Sequence, residues 1–145
     1  MNERQRKAWE HGIIAFNRGD YFEAHEIWES VWISATGPLR DFLQGLIQVS
    51  VALHHLSRGN LHGARSLIDR AETHFAQLPS RFHGVDCRRL LLLANRCVKL
   101  GEEMIKLRNS AGKGCLTKQE WFALPLPRLD VEHCRNQAAA DDALH

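Results

Sequence analysis

The stretch from Leu39 to Ser57 is apolar almost all the way round a helix of about 3.6 residues per turn. Phe42, Leu46, Val49, Leu53 and Leu56 form one stripe, with Leu43, Ile47 and Val51 on a neighbouring one. A helix without a broad polar face has to be covered on most sides, so the rest of the chain must wrap around it. Gly and Pro punctuate the chain at few places: Gly19, Gly37-Pro38, Gly59, Pro79, Gly84, Gly112 and Gly114, and Pro125 with Pro127. Between them apolar residues recur at helical spacing, and β-branched alternation is nearly absent. The pattern predicts helices over Glu3–Arg18, Asp20–Ser34, Leu39–Ser57, Asn60–Leu78 and Asp86–Asn109.

Capping chemistry agrees with these starts. Asp20 and Glu23 read as a capping box, Asn60 and Asp86 as N-caps, and Thr117-x-x-Glu120 as a second box opening a short turn at Trp121. On the fifth helix, Leu90, Leu93, Cys97, Leu100, Met104 and Leu107 form a core seam. Arg18-Gly19-Asp20 with Ala24 is echoed forty residues on by Arg58-Gly59-Asn60 with Ala64. Gly19 to Ala24 also looks like the second-helix opening of a tetratricopeptide unit, although two units are too few for a solenoid. The expected architecture is a single all-α, up-and-down bundle of about five helices, built from two helical hairpins plus a closing helix. It covers residues 1–109, and 110–145 form a partly ordered extension with a frayed end from Ala138.

Composition excludes several classes. With 145 residues, 44% hydrophobic and a net charge of +2, the chain is neither disordered nor a histone-like nucleic-acid binder. Met1 to Glu10 lacks an apolar signal core, and the longest apolar run, Leu90–Ala94, falls far short of the ~20 residues a membrane helix needs. Cys87, Cys97, Cys115 and Cys134 form no CxxC pair. A reduced cytoplasmic protein off the membrane is expected. Arg88, Lys99 and Lys106, with Arg89 and Arg96 beside them, make a basic stripe on helix five. Glu102 and Glu103 interrupt it, so it reads as a solvated face; nucleic acid is not expected, and a protein partner or a second copy stays open.

Helix two carries the chemistry. His25, Glu29 and Trp32 share one face at about 100° per residue, flanked by Tyr21, Phe22 and Trp28, while Glu23, Glu26 and Ser30 point away. A His and a Glu are thus expected inside a buried aromatic stripe, with Glu26 in solvent. A buried carboxylate must be paired, hydrogen-bonded, metal-bound or protonated. Helix three offers a polar strip of Gln44, Gln48 and His55, with His54 about 100° away. Antiparallel packing of the two helices is expected to bring His25, Glu29, Gln48 and His55 together, as a metal site or as a closed hydrogen-bond network. Sharper motifs fail: Glu29 stands where HExxH needs its second His, Phe22 where a di-iron bundle needs Glu, and no GxGxxG or GxxxxGK occurs.

His25 to Trp32 reads HxxxExxW. Around it stand Phe16-Asn17-x-Gly19-x-Tyr21-Phe22-Glu23-Ala24, then Gln44-Gly45-Leu46-Ile47-Gln48, His54-His55, Gly59-Asn60-x-x-Gly63-Ala64 and Gly84-Val85-Asp86. In this order, from about Trp9 to Leu107, the chain resembles domain-of-unknown-function family 309, small all-helical bacterial and archaeal proteins. The resemblance implies a metal site at His25 and Glu29, with Trp32 packing beside it and the helix-three histidine at His54 or His55; the helical wheel favours His55. The expected function is metal binding by His25, Glu29 and His55, with hydrolysis as the chemistry. Gln44, Gln48, His54, Trp32 and Tyr21 would support the pocket, and Zn, Mn or Fe would suit its ligands. The alternative is a tetratricopeptide-like interaction module without catalysis.

Overall fold

The chain runs α1 (Glu3–Asn17), α2 (Tyr21–Trp32), α3 (Gly37–Ser57), α4 (Leu61–Phe75), β1 (Arg81–Phe82), β2 (Val85–Asp86), α5 (Cys87–Arg108) and α6 (Lys118–Ala123). The structure is a computed structural model and describes residues 1–108 and 114–130. Cys134 and the expected frayed end lie outside the described residues. The architecture is the expected all-α bundle. α3 is its axis, packed against α2 on one side and against α4 and α5 on others, with α1 closing over α2. That placement follows from its apolar circumference: eleven of its residues are buried, from Phe42 to Leu56. No described helix is long and apolar enough to cross a membrane.

Most caps form as the sequence indicates. Asn60 Oδ1 accepts from the Gly63 amide at 2.9 Å, Asp86 Oδ1 from the Arg89 amide at 3.0 Å, and Thr117 and Glu120 close a reciprocal box. Asp20 departs from expectation. It precedes α2 at φ −84°, ψ 68°, away from the extended geometry of a capping residue, and its side chain caps nothing. The carboxylate instead lies 3.6 Å from Arg18, which also reaches Glu23 at 3.5 Å. A capping box the pattern did not announce, Asn2 with Gln5, opens α1.

The short hairpin was also not legible in advance, because two-residue strands carry no alternation. His83 and Gly84 have φ of 46° and 79°, the two positive values of a tight turn whose twist suits paired strands. The turn lays His83 on Phe42, with ring centroids 5.9 Å apart. On α5 the buried line is Leu90, Ala94, Cys97, Val98, Gly101 and Ile105. The expected seam is therefore rotated: Leu93, Leu100 and Met104 are half-buried, and Leu107 is exposed. Gly101 causes the rotation. Leu56 of α3 comes so close that a Cβ at Gly101 would lie 2.9 Å from it, so the helices meet along the glycine line.

The arm after α5 packs into the same core through Leu116, Trp121, Leu124 and Leu129. The Asn17 side chain holds it at two points. Its Nδ2 donates to the Leu129 carbonyl at 2.5 Å, and its Oδ1 accepts from the Leu129 amide at 2.6 Å. Tyr21 adds a hydroxyl bond to the Pro127 carbonyl at 3.4 Å.

The α1–α2 contact is a close one. Trp28 stacks on Trp9 with centroids 5.6 Å apart and donates from Nε1 to the Trp9 carbonyl at 3.3 Å. It lies directly over Gly12, where a Cβ would fall 2.1 Å from Trp28 Nε1. Gly12→Ala is expected to destabilise the fold by about 1–3 kcal/mol through overpacking, outweighing the ~1 kcal/mol gain in helix propensity. Urea unfolding checks this. An unchanged or raised midpoint would contradict the close packing of Trp28 on α1.

Candidate functional site on the α2–α3 face

The seating of Trp28 on Gly12 sets the rotation of α2. Its buried residues are Tyr21, Ala24, Trp28 and Val31. The line His25–Glu29–Trp32 therefore flanks the core instead of centring in it. His25 is 14% exposed at its side chain, at the edge of the core, whereas Glu29 is 52% exposed. The expectation that Glu29 is buried and Glu26 solvated is corrected: both carboxylates face solvent. Trp32 is half-buried, with the Arg40 guanidinium 3.8 Å from its ring centroid. Arg40 also donates to the carbonyls of Trp32 and Ala35, closing the end of α2. Tyr21 points inward, where burial pushes its phenol pKa far up, so its role is to hold the arm.

Across from His25 stands His54. The Phe22 ring is 52% exposed and lies between the two histidines, with centroids 4.8 Å from His25 and 5.1 Å from His54. A shallow cleft beside them is lined by Gly19, Asp20, Tyr21, Phe22, Glu23 and His54. His55, which the wheel favoured, points elsewhere: its Nδ1 is 3.4 Å from Asn60 Nδ2 at the start of α4. Gln44 and Gln48 share that arc to within about 40°. The same side carries Asp41, 3.2 Å from His74 of α4, and Gly45, which lies under Phe75 of α4. The polar strip thus faces α4, and His25, Glu29, Gln48 and His55 do not meet. Gln48 is buried with no hydrogen-bond partner for its Oε1 among the described residues.

His25 has a defined tautomer. Its Nδ1 lies 2.5 Å from the Phe22 carbonyl, which can only accept, so Nδ1 carries the proton. In the neutral ring the lone pair is then on Nε2, and Nε2 lies 3.9 Å from Glu29 Oε1. A lone pair and a carboxylate oxygen facing each other leave room for a proton on the ring or for a cation. Among the described residues no three His, Cys, Asp or Glu side chains converge closely enough to form a metal cluster. What the sequence reading missed is the pairing of His54 with Phe22. The small residues Gly12 on α1 and Ala24 on α2 carried a signal for it, because they mark the side on which the two helices touch.

His54 is held below the ordinary histidine value of 6.5, first by partial burial and then by the positive charges of Arg58, His55 and His25. A depressed folded pKa means that the unfolded chain takes up the proton first. The stability tied to neutral His54 is complete above 6.5 and is lost as pH falls from there through the lowered folded value. In NMR titration the His54 ring should have its midpoint below 6.5, and His54→Gln should lose less Tm than wild type between about pH 7 and pH 5. An identical pH dependence in the variant would show that His54 does not sense this environment.

An uncharacterized protein of Aquifex aeolicus (strain VF5) is 33% identical over 73 residues, which is 50% of this chain. The matched stretch spans only 22% of that relative. A family model, described as a domain of unknown function (DUF309), matches residues 9–67, the segment that holds α1 from Trp9 onward, α2, α3 and the first half of α4. Through these residues the chain resembles the DUF309 family.

Proposed function

We propose that the α2–α3 face binds a divalent transition metal through His25 Nε2 and Glu29. The observation that carries this reading is the His25 tautomer. Its Nδ1 proton is committed to the Phe22 carbonyl, which leaves Nε2 free and aimed at Glu29 Oε1. Metal-bound histidines are commonly oriented by such a bond from their other nitrogen. His54, beyond the Phe22 ring, is held below the ordinary histidine value and so places little positive charge beside the site at pH 7. Imidazole with carboxylate suits Zn, Mn or Fe. Such a metal supplies Lewis acidity, the ingredient hydrolysis needs. Binding by so open a site is labile and leaves positions for water or substrate.

The tetratricopeptide-like alternative draws on the exposed Phe22 ring as a contact for a partner. The two readings separate on one titration. Adding excess Zn²⁺ or Mn²⁺ to the full chain should raise Tm by about 2–4 °C as the site fills, with shifts in the ring signals of His25 and His54. His25→Ala and Glu29→Gln should abolish the rise, and His55→Ala should leave it intact. Without metal, Glu29→Gln should change stability by no more than about 0.5 kcal/mol, because its side chain is exposed. No Tm rise in wild type, or loss of the rise in His55→Ala, would sink the metal reading.

A further inference from the structure

Three arginines from separate segments border one cavity of about 400 Å³ beside the β1–β2 hairpin: Arg81 on β1, Arg89 in the first turn of α5, and Arg128 on the arm. Asp86 and Asp130 stand at the same rim, so guanidiniums outnumber carboxylates by three to two. Asp86 is engaged by the Arg89 amide, and Arg81 Nη1 donates to the Gly84 carbonyl at 3.4 Å. The guanidiniums of Arg89 and Arg128 make no hydrogen bond or ion pair with any described residue.

The backbones beneath these arginines are anchored. Pro127 and Leu129, on either side of Arg128, are held by Tyr21 and Asn17. Arg89 sits on a capped helix, and Arg81 on a hairpin paired in register with Asp86. Three guanidiniums against two carboxylates leave the rim net positive, and a bound anion relieves the repulsion among them. A planar carboxylate presents two oxygens, whereas a phosphate monoester presents three, one for each guanidinium. Leu90 and Leu93 on the cavity wall offer an apolar surface to the organic group.

We propose that this cavity binds a small phosphate monoester, its oxygens held by Arg81, Arg89 and Arg128. The test is isothermal titration of the full chain in phosphate-free buffer with phenyl phosphate, inorganic phosphate and benzoate. Phenyl phosphate should bind saturably at one site and tighter than inorganic phosphate, which lacks the apolar group. Benzoate should be weaker by about tenfold. Arg89→Gln and Arg128→Gln should each weaken phenyl phosphate by about tenfold while keeping the helical circular dichroism of wild type. Arg96→Gln, on α5 but outside the cavity, should have no effect, and added KCl should weaken binding. No saturation by phenyl phosphate, or unchanged binding in both cavity variants, would overturn the site. Benzoate binding as tightly as phenyl phosphate would overturn the ligand class.

Discussion

The packing of Trp28 into the space that Gly12 leaves open governs much of the rest of this structure. An indole over a glycine lets α1 and α2 approach closely, and the stacked Trp9 and Trp28 rings continue into Phe42 on α3, 5.4 Å from Trp9. This chain of aromatic contacts joins three helices. Once Trp28 is seated, the rotation of α2 is no longer free, and every side chain on it acquires a fixed direction. Tyr21 turns toward the arm, His25 to the edge of the core, and Glu29 and Phe22 to solvent.

The two proposed binding surfaces lie at different places on the bundle. The α2–α3 face is local: its His25 tautomer is set by a carbonyl three residues earlier, and only His54 comes from elsewhere. The arginine cavity is assembled from long range, because Arg128 reaches it only when the arm is pinned by Asn17 and Tyr21. Tyr21 belongs to α2, so the rotation set by Trp28 also acts on the cavity. A loosened α1–α2 contact would therefore disturb both surfaces together.

Helix existence was legible because periodicity and caps are local properties. The apolar circumference of α3 announced its central position, and Asn60, Asp86 and Thr117 announced helix starts that form as expected. Helix phase was less legible. The wheel of α2 alone centres its aromatic residues near His25 and Glu29, yet the buried centre lies toward Tyr21, Ala24, Trp28 and Val31. Aromatic residues occur on both sides of that helix, and Phe22 remains 52% exposed. On α5 the same lesson recurs, where large Leu residues yield the interface to Gly101 and Ala94 because close approach favours small side chains.

The amino-acid sequence by itself determined the all-α class, the helix order, most of the caps and the identity of the residues able to do chemistry. These depend on spacing and on backbone preferences within a few residues. Only the tertiary structure decided which histidine of the His54-His55 pair faces α2, that Glu29 lies in solvent, and that Gln48 and His55 turn toward α4. The reason is that a helix can rotate about its axis at little local cost. Its final angle is chosen by the partner's shape, here a glycine on one helix that admits a tryptophan from another.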